Sequence, residues 1–137
     1  MSRPVLLDTC AAIWLSQGDP MSEAASAVID DLDRSGGFLA ISPITAWEVG
    51  ILVSRGRLAV SRDPTAWFDA LIGTGVELAS MAPGILVASS FLPGPAPRDP
   101  ADRILAATAR ILNYRLMTRD KGLLEFASAG HLDAIAC

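Results

Sequence analysis

A chain of 137 residues has length for one domain, 1–137, and a domain of this size buries roughly two thirds of its unfolded surface without disulfide staples. At 51% hydrophobic and 19% charged residues, with a mean hydropathy of +0.40, it is excluded from the disordered class. No apolar run approaches the ~18 residues of a membrane span. The net charge of −4 excludes a protein that grips nucleic acid by bulk charge, leaving local basic patches or a metal for such contact.

From the N-terminus, Met1-Ser2-Arg3-Pro4 leads into Val5-Leu6-Leu7 with no long apolar region, so no signal peptide is expected. Val5-Leu6-Leu7 reads as a buried strand ending at Asp8-Thr9. Cys10–Ser16 reads as a short helix. A longer helix follows over Met21–Leu32, its apolar stripe on Ala24, Ala27, Val28 and Leu32. Phe38–Ile41 is a second strand, and Ser42-Pro43 opens a helix to Val53 with serine as cap and proline in the first turn. Asp63-Pro64 repeats that signal for a helix through Ile72, and Val76–Leu78 reads as a third strand. Pro83–Phe91 reads as helix, followed by the rigid loop Pro93–Pro97. Asp99-Pro100 starts a helix through Leu112; Arg115–Thr118 is a strand, Lys121–Ala127 a helix and Leu132–Ala136 a last strand. Short strands alternating with helices predict an α/β fold with a parallel sheet covered on both faces.

The single histidine, His131, excludes a ribonuclease working with two imidazoles and a zinc site of several His and Cys ligands. It reads as a surface residue near the last strand. Cys10 and Cys137 form no metal-ligand motif and fit a reducing cytoplasm. Chemistry therefore falls to carboxylates. In parallel α/β sheets the working groups gather beyond the carboxyl ends of the strands. Asp8 follows the first strand, Glu48 lies one turn into the helix after the second, Asp99 and Asp102 open a helix, and Asp120 follows the fourth strand. Asp99, Asp102 and Asp120 each also read as helix caps or first-turn acids. Asp8 has no strongly helical segment to cap. Glu48 shares a stripe with Ile44, Ile51 and Leu52 that should face the core, where a lone carboxylate is costly unless paired or bound to a cation. Crowded carboxylates raise one another's pKa, and an all-oxygen pocket selects a hard divalent ion, Mg²⁺ or Mn²⁺. Such a pocket suits phosphodiester hydrolysis.

Four segments in order carry a resemblance: Leu6-Leu7-Asp8-Thr9; Ser42-Pro43-Ile44-Thr45-Ala46-Trp47-Glu48-Val49; Arg98-Asp99-Pro100-Ala101-Asp102-Arg103 running on to Ala109; and Leu116-Met117-Thr118-Arg119-Asp120. Together they resemble the PIN-domain family, most closely its VapC-type toxins. The resemblance implies a three-layer α/β/α sandwich around a short central parallel sheet. It places the acidic constellation on Asp8, Glu48, Asp102 and Asp120, as metal ligands and catalytic groups. Thr118 matches the hydroxyl residue that supports the first aspartate; Thr9 and Asp99 stand as further supporting residues, Asp99 chiefly as a helix cap. It also implies an Mg²⁺-dependent endoribonuclease acting on transfer or ribosomal RNA, a homodimer, and a VapB-like antitoxin whose C-terminal tail reaches the active site with an arginine.

The residues leave other readings open. A receiver-like Mg²⁺-binding signalling module also gathers aspartates at strand ends, but its paired acids are missing, since Asp8 is followed by Thr9-Cys10, and Glu48 would have no role. An Asp-nucleophile phosphatase would carry an Asp at position 10, which is Cys10. A nuclease of the same fold could act on DNA instead. Arg55, Arg57 and Arg62 fit either phosphate contacts or a solvated turn. Trp14, Trp47 and Trp67 sit at apolar helical positions that favour core or dimer packing over base stacking. Gly73-Thr74-Gly75 follows a helix and lacks a third glycine, so it does not read as a dinucleotide site.

Overall fold

Val5, Leu6 and Leu7 form β1 and have no solvent-exposed surface, because this strand is flanked in the sheet on both sides and covered on both faces. The structure, a computed structural model, describes residues 3–137; Met1 and Ser2, the start of the segment expected to lack a signal peptide, lie outside the described residues. After β1 come α1 (Thr9–Gln17), α2 (Glu23–Ser35), β2 (Leu39–Ile41), α3 (Pro43–Ser54), α4 (Pro64–Gly73), β3 (Glu77–Leu78), α5 (Pro83–Ala88), α6 (Pro100–Leu112), β4 (Arg115–Thr118), α7 (Lys121–Ser128) and β5 (Ala134–Ala136). The strands form one parallel sheet in the order β3-β2-β1-β4-β5.

The pleat sorts side chains into two cores. Val5 and Leu7, with Ile41 and Met117, pack against Ala11 and Ile13 of α1, Leu32 of α2, Val49 of α3 and Trp67 and Leu71 of α4. Leu6, Ala40 and Leu116 face the other way, onto Leu105, Ala106 and Ala109 of α6 and Leu123 and Phe126 of α7. The sheet is thus the middle of three layers, as expected. Fully burying an aliphatic side chain contributes roughly 2 kcal/mol, so the three β1 residues alone weigh heavily in the stability of the domain. Among the described residues no helix is long and apolar enough to cross a membrane.

The elements match the sequence expectation in number, type and order, with four local differences. In the first half of α2 the stripe lies one residue on, with Ala25 buried and Ala24 and Ala27 exposed, while Val28 and Leu32 pack into the core as expected. Helix α5 ends at Ala88, and Ser89–Phe91 continue as turns that leave Phe91 81% exposed. In α3 the fully buried positions are Thr45 and Val49; the stripe expected to face the core, Ile44, Glu48, Ile51 and Leu52, is only half-buried. Trp47 of the same helix is 57% exposed and so does not pack in the core, whereas Trp67 is buried with its indole N–H donating to Ser16 Oγ at 3.1 Å.

Candidate active site

Asp8 ends β1 with its carboxylate at the carboxyl edge of the sheet, 4% exposed. Oδ1 accepts the Ala11 N–H at 2.7 Å, making Asp8 the N-cap of α1. The short helix expected from Cys10 is thus in place as α1, and Asp8 caps it although the segment is not strongly helical by sequence. The sequence understated α1 because a nine-residue helix draws its stability from packing rather than propensity. Oδ2 accepts the Thr118 hydroxyl at 2.6 Å. Thr118 Oγ1 in turn accepts the Asp120 N–H at 3.0 Å, and Asp120 Oδ2 accepts the Leu123 N–H at 2.9 Å as the cap of α7. Thr118 therefore supports the first aspartate as expected, and links the fourth-strand acid to it through one hydroxyl. Gly122 adds a contact that the sequence does not announce. A Cβ there would stand 3.2 Å from Asp120 Oδ2 and 3.9 Å from Pro97, so glycine leaves that carboxylate its place.

Glu48 is held by a matching arrangement. Thr9 Oγ1 donates to Glu48 Oε1 at 2.5 Å, and Thr9 and Thr45 Oγ1 lie 3.2 Å apart. A hydroxyl has one hydrogen to donate. Because that of Thr9 goes to Glu48, Thr45 is the donor to Thr9. Thr45 does not stand out in the sequence; its only signal is a buried-side hydroxyl one turn before Glu48 in a helix otherwise rich in apolar residues. Thr9, expected only as a supporting residue, has a definite role, since its hydroxyl fixes the Glu48 carboxylate.

Asp99 is the N-cap of α6, its Oδ1 accepting the N–H groups of Ala101 at 2.8 Å and Asp102 at 3.2 Å. The neighbouring Arg103 secures the preceding loop, donating to the carbonyls of Ser89 and Pro97, each at 2.8 Å. Asp102 lies in the first turn of α6 and feels every other acid of the group. Partial burial first, then the charges of Asp120, Asp99, Glu48 and Asp8, push its carboxyl up to about 7. Burial likewise raises Glu48 and Asp8 above the usual carboxylate range. The Thr9 hydroxyl counters it at Glu48, while Thr118, Ala11 and the charge of Arg119 counter it at Asp8. The five acids thus share one electrostatic site at the sheet edge.

These groups meet the chemical requirement for a hard cation: all are carboxylate oxygens, and their mutual repulsion is what a divalent ion relieves. Among the described residues no three His, Cys, Asp or Glu side chains are already arranged to hold a metal ion. Several of the oxygens are instead engaged by Ala11, Thr118, Thr9 and Leu123.

The remaining candidates stand away from the acids. Arg55, Arg57 and Arg62 lie beyond the far end of α3; Arg55 is seven residues from Glu48, roughly 10 Å along a helix axis. Thr74 and Gly75, the latter at φ 99°, close α4 ahead of β3, a turn and not a phosphate loop. His131 is a bend residue stacked against Phe126, with ring centroids 5.1 Å apart.

An open parallel sheet in the order 3-2-1-4-5 with acids at the ends of β1 and β4 and in α3 and α6 is the architecture of a PIN domain, and the chain belongs to the PIN-domain family: the family model matches residues 5–129. The chain is 32% identical over 120 residues to Ribonuclease VapC22 of Mycobacterium tuberculosis, covering 87% of this chain and 88% of that protein. Two solved structures share its fold. One is VapBC2 from Rickettsia felis bound to a promoter DNA fragment, with a TM-score of 0.70 and 16% identity over 97% of this chain and 98% of that one. The other is a toxin–antitoxin complex from Klebsiella pneumoniae, with a TM-score of 0.61 and 23% identity over 96% of this chain and 95% of that one.

Proposed function

We propose that this protein is a metal-dependent endoribonuclease of the VapC toxin class, with 1–137 acting as a single domain. The observation that carries the reading is the ordering of acids from separate elements of a PIN fold at one sheet edge, with Asp8 and Asp120 tied through the Thr118 hydroxyl and Glu48 held by Thr9, next to Asp8. Asp8, Glu48, Asp102 and Asp120 would hold Mg²⁺ (or Mn²⁺). An ion held by these carboxylates would supply Lewis acidity for an attacking water and for the charge developing on the phosphate. The chain's own residues do the rest. Thr118 and Ala11 orient the Asp8 carboxylate, Thr9 and Thr45 orient Glu48, and Asp99 fixes the α6 terminus so that Asp102 faces the other acids. No imidazole is available for proton transfer at this edge, so proton acceptance falls to these carboxylates.

The same surface suits a VapB-like antitoxin. Beside the acids runs an apolar groove between α3 and α6, lined by Pro43, Ile44, Trp47, Met81, Pro100 and Ile104, and it continues to Glu48 and Asp99. An antitoxin tail laid there would seat apolar side chains in the groove and an arginine among the carboxylates, a guanidinium pairing with two acids where a metal would otherwise bind. Transfer or ribosomal RNA is the proposed substrate and a homodimer the proposed assembly.

The test is cleavage of a synthetic RNA and of DNA of the same sequence by purified protein, with Mg²⁺, with Mn²⁺ and with EDTA. RNA cleavage confined to the metal-containing reactions is expected. Full-rate cleavage in EDTA would overturn the metal dependence, and preferential cutting of DNA would overturn the substrate.

A further inference from the structure

Arg119 lies between Thr118, whose hydroxyl is bonded to Asp8, and Asp120, whose N–H is bonded to Thr118. Its backbone is therefore fixed on both sides at the acidic edge of the sheet. Its side chain is fixed as well. The guanidinium carbon lies 3.7 Å from the centroid of the Trp14 ring, and Nη2 donates to the Cys137 carbonyl at 2.7 Å. Among the described residues no Asp or Glu side chain stands at ion-pair distance from it, although five acids crowd the same edge. A guanidinium has five N–H donors, and the Cys137 carbonyl takes one. Here, then, is an exposed, immobilised cation with donors to spare, beside a group of acids that repels nucleic acid.

We propose that Arg119 is a substrate-positioning residue whose guanidinium binds a backbone phosphate next to the scissile one. The proposal rests on the ribonuclease reading above. Three features favour phosphate over a protein carboxylate. The chain has a net charge of −4, so phosphate contact must be local. The arginines that stand out in the sequence, Arg55, Arg57 and Arg62, lie at the far end of α3, whereas Arg119 adjoins Asp120. Stacking on Trp14 already restricts the side chain, so little rotamer freedom is lost when the fork closes on two phosphate oxygens.

The experiment measures kcat and KM on a short single-stranded RNA at saturating Mg²⁺ over a range of salt concentrations, for wild type, Arg119→Ala and Arg119→Lys. Losing one phosphate contact on a single strand should flatten the dependence of log kcat/KM on log salt by about 0.7. KM should rise about tenfold in Arg119→Ala with kcat nearly unchanged, the loss expected for a charge-assisted contact. Arg119→Lys should keep most of the salt slope. A merely structural latch between β4 and α1 would alter thermal stability and leave the slope alone. If Arg119→Ala does not fold, Arg119→Gln and single neutral methylphosphonates scanned through the RNA carry the test: one position should impair wild type about tenfold and Arg119→Gln, which has no charge to lose there, much less. A folded Arg119→Ala enzyme with unchanged slope and KM, or a scan with no such position, overturns the role of Arg119 while RNA cleavage stands. Wild-type protein that cuts no RNA with any metal overturns the ribonuclease reading itself.

Discussion

Thr9 donates its hydroxyl hydrogen to Glu48 across 2.5 Å, tying the first residue of α1 to the second turn of α3. Asp8, the preceding residue, receives the hydroxyl of Thr118 from β4. Two adjacent residues thus face two distant segments, and each acid is oriented by a threonine whose oxygen is itself engaged, by Thr45 in one case and by the Asp120 N–H in the other.

Thr118→Val tests the second of these links. Valine keeps the shape of threonine and removes the hydroxyl, leaving Asp8 Oδ2 and the Asp120 N–H without their partner. Stability should fall by about 1–3 kcal/mol in urea unfolding, the penalty for stranding buried polar groups. RNA cleavage should fall with it, and Thr118→Ser should recover both. A valine variant with wild-type cleavage would show that the orientation of Asp8 is immaterial.

The raised Asp102 carboxyl makes stability depend on pH. Its value is about 7 in the folded protein against 3.8 for the free side chain, so between those values the folded state binds more protons than the unfolded one. Metal-free protein should therefore lose stability as pH rises from about 4 through 7. Asp102→Asn should abolish much of that loss, melting above wild type at pH 8 and near it at pH 4. After discounting for solvent screening the gain is about 1–2 kcal/mol. Adding Mg²⁺ should raise the melting temperature of wild type and leave Asp102→Asn nearly unmoved. Equal Mg²⁺ shifts in both proteins would remove Asp102 from the metal site.

Asp99 and Asp102 should separate under the same substitution. Asparagine still caps a helix, so Asp99→Asn should retain stability and most cleavage. Asp102→Asn, like Asp8→Asn, Glu48→Gln and Asp120→Asn, should retain the fold and lose cleavage by a hundredfold or so, a size ordinary for a lost metal-ligand or electrostatic contribution. Equal losses at 99 and 102 would show that Asp99 acts on the substrate or its ion.

Gly122→Ala sets helix propensity against the site. Alanine favours a helix over glycine by about 1 kcal/mol, yet its Cβ would stand 3.2 Å from Asp120 Oδ2. The expected result is a fold at least as stable as wild type by thermal melting, with RNA cleavage reduced because the Asp120 carboxylate is displaced. Undiminished cleavage would mean that Asp120 tolerates the shift.

Most of this fold is legible in the sequence because its signals are local. Val5-Leu6-Leu7 can only be a strand buried on both faces, and Ser42-Pro43, Asp63-Pro64 and Asp99-Pro100 each announce a helix start that the structure places within a residue. What the sequence hides is phase and partnership. A one-residue shift turns the α2 stripe onto Ala25, and α3 is apolar on so many sides that its pattern does not say that Thr45 and Val49 face inward and Trp47 outward. The acids themselves are readable as a set from their places at strand and helix ends. Thr45, Gly122 and Arg119 are not, since each matters through a neighbour brought up by the fold.

The bond between Asp8 and Thr118 spans 110 positions of the chain. During synthesis the N-terminal strand is therefore made long before its neighbour β4, and Asp8, Glu48 and Asp102 are all joined to the chain before Thr118 and Asp120 are added. A nascent polypeptide in that state has an open sheet edge at β1 and an incomplete set of acids. Chemistry that needs the full set of acids therefore has to wait until translation has passed β4, a delay written into the order of the strands along the chain.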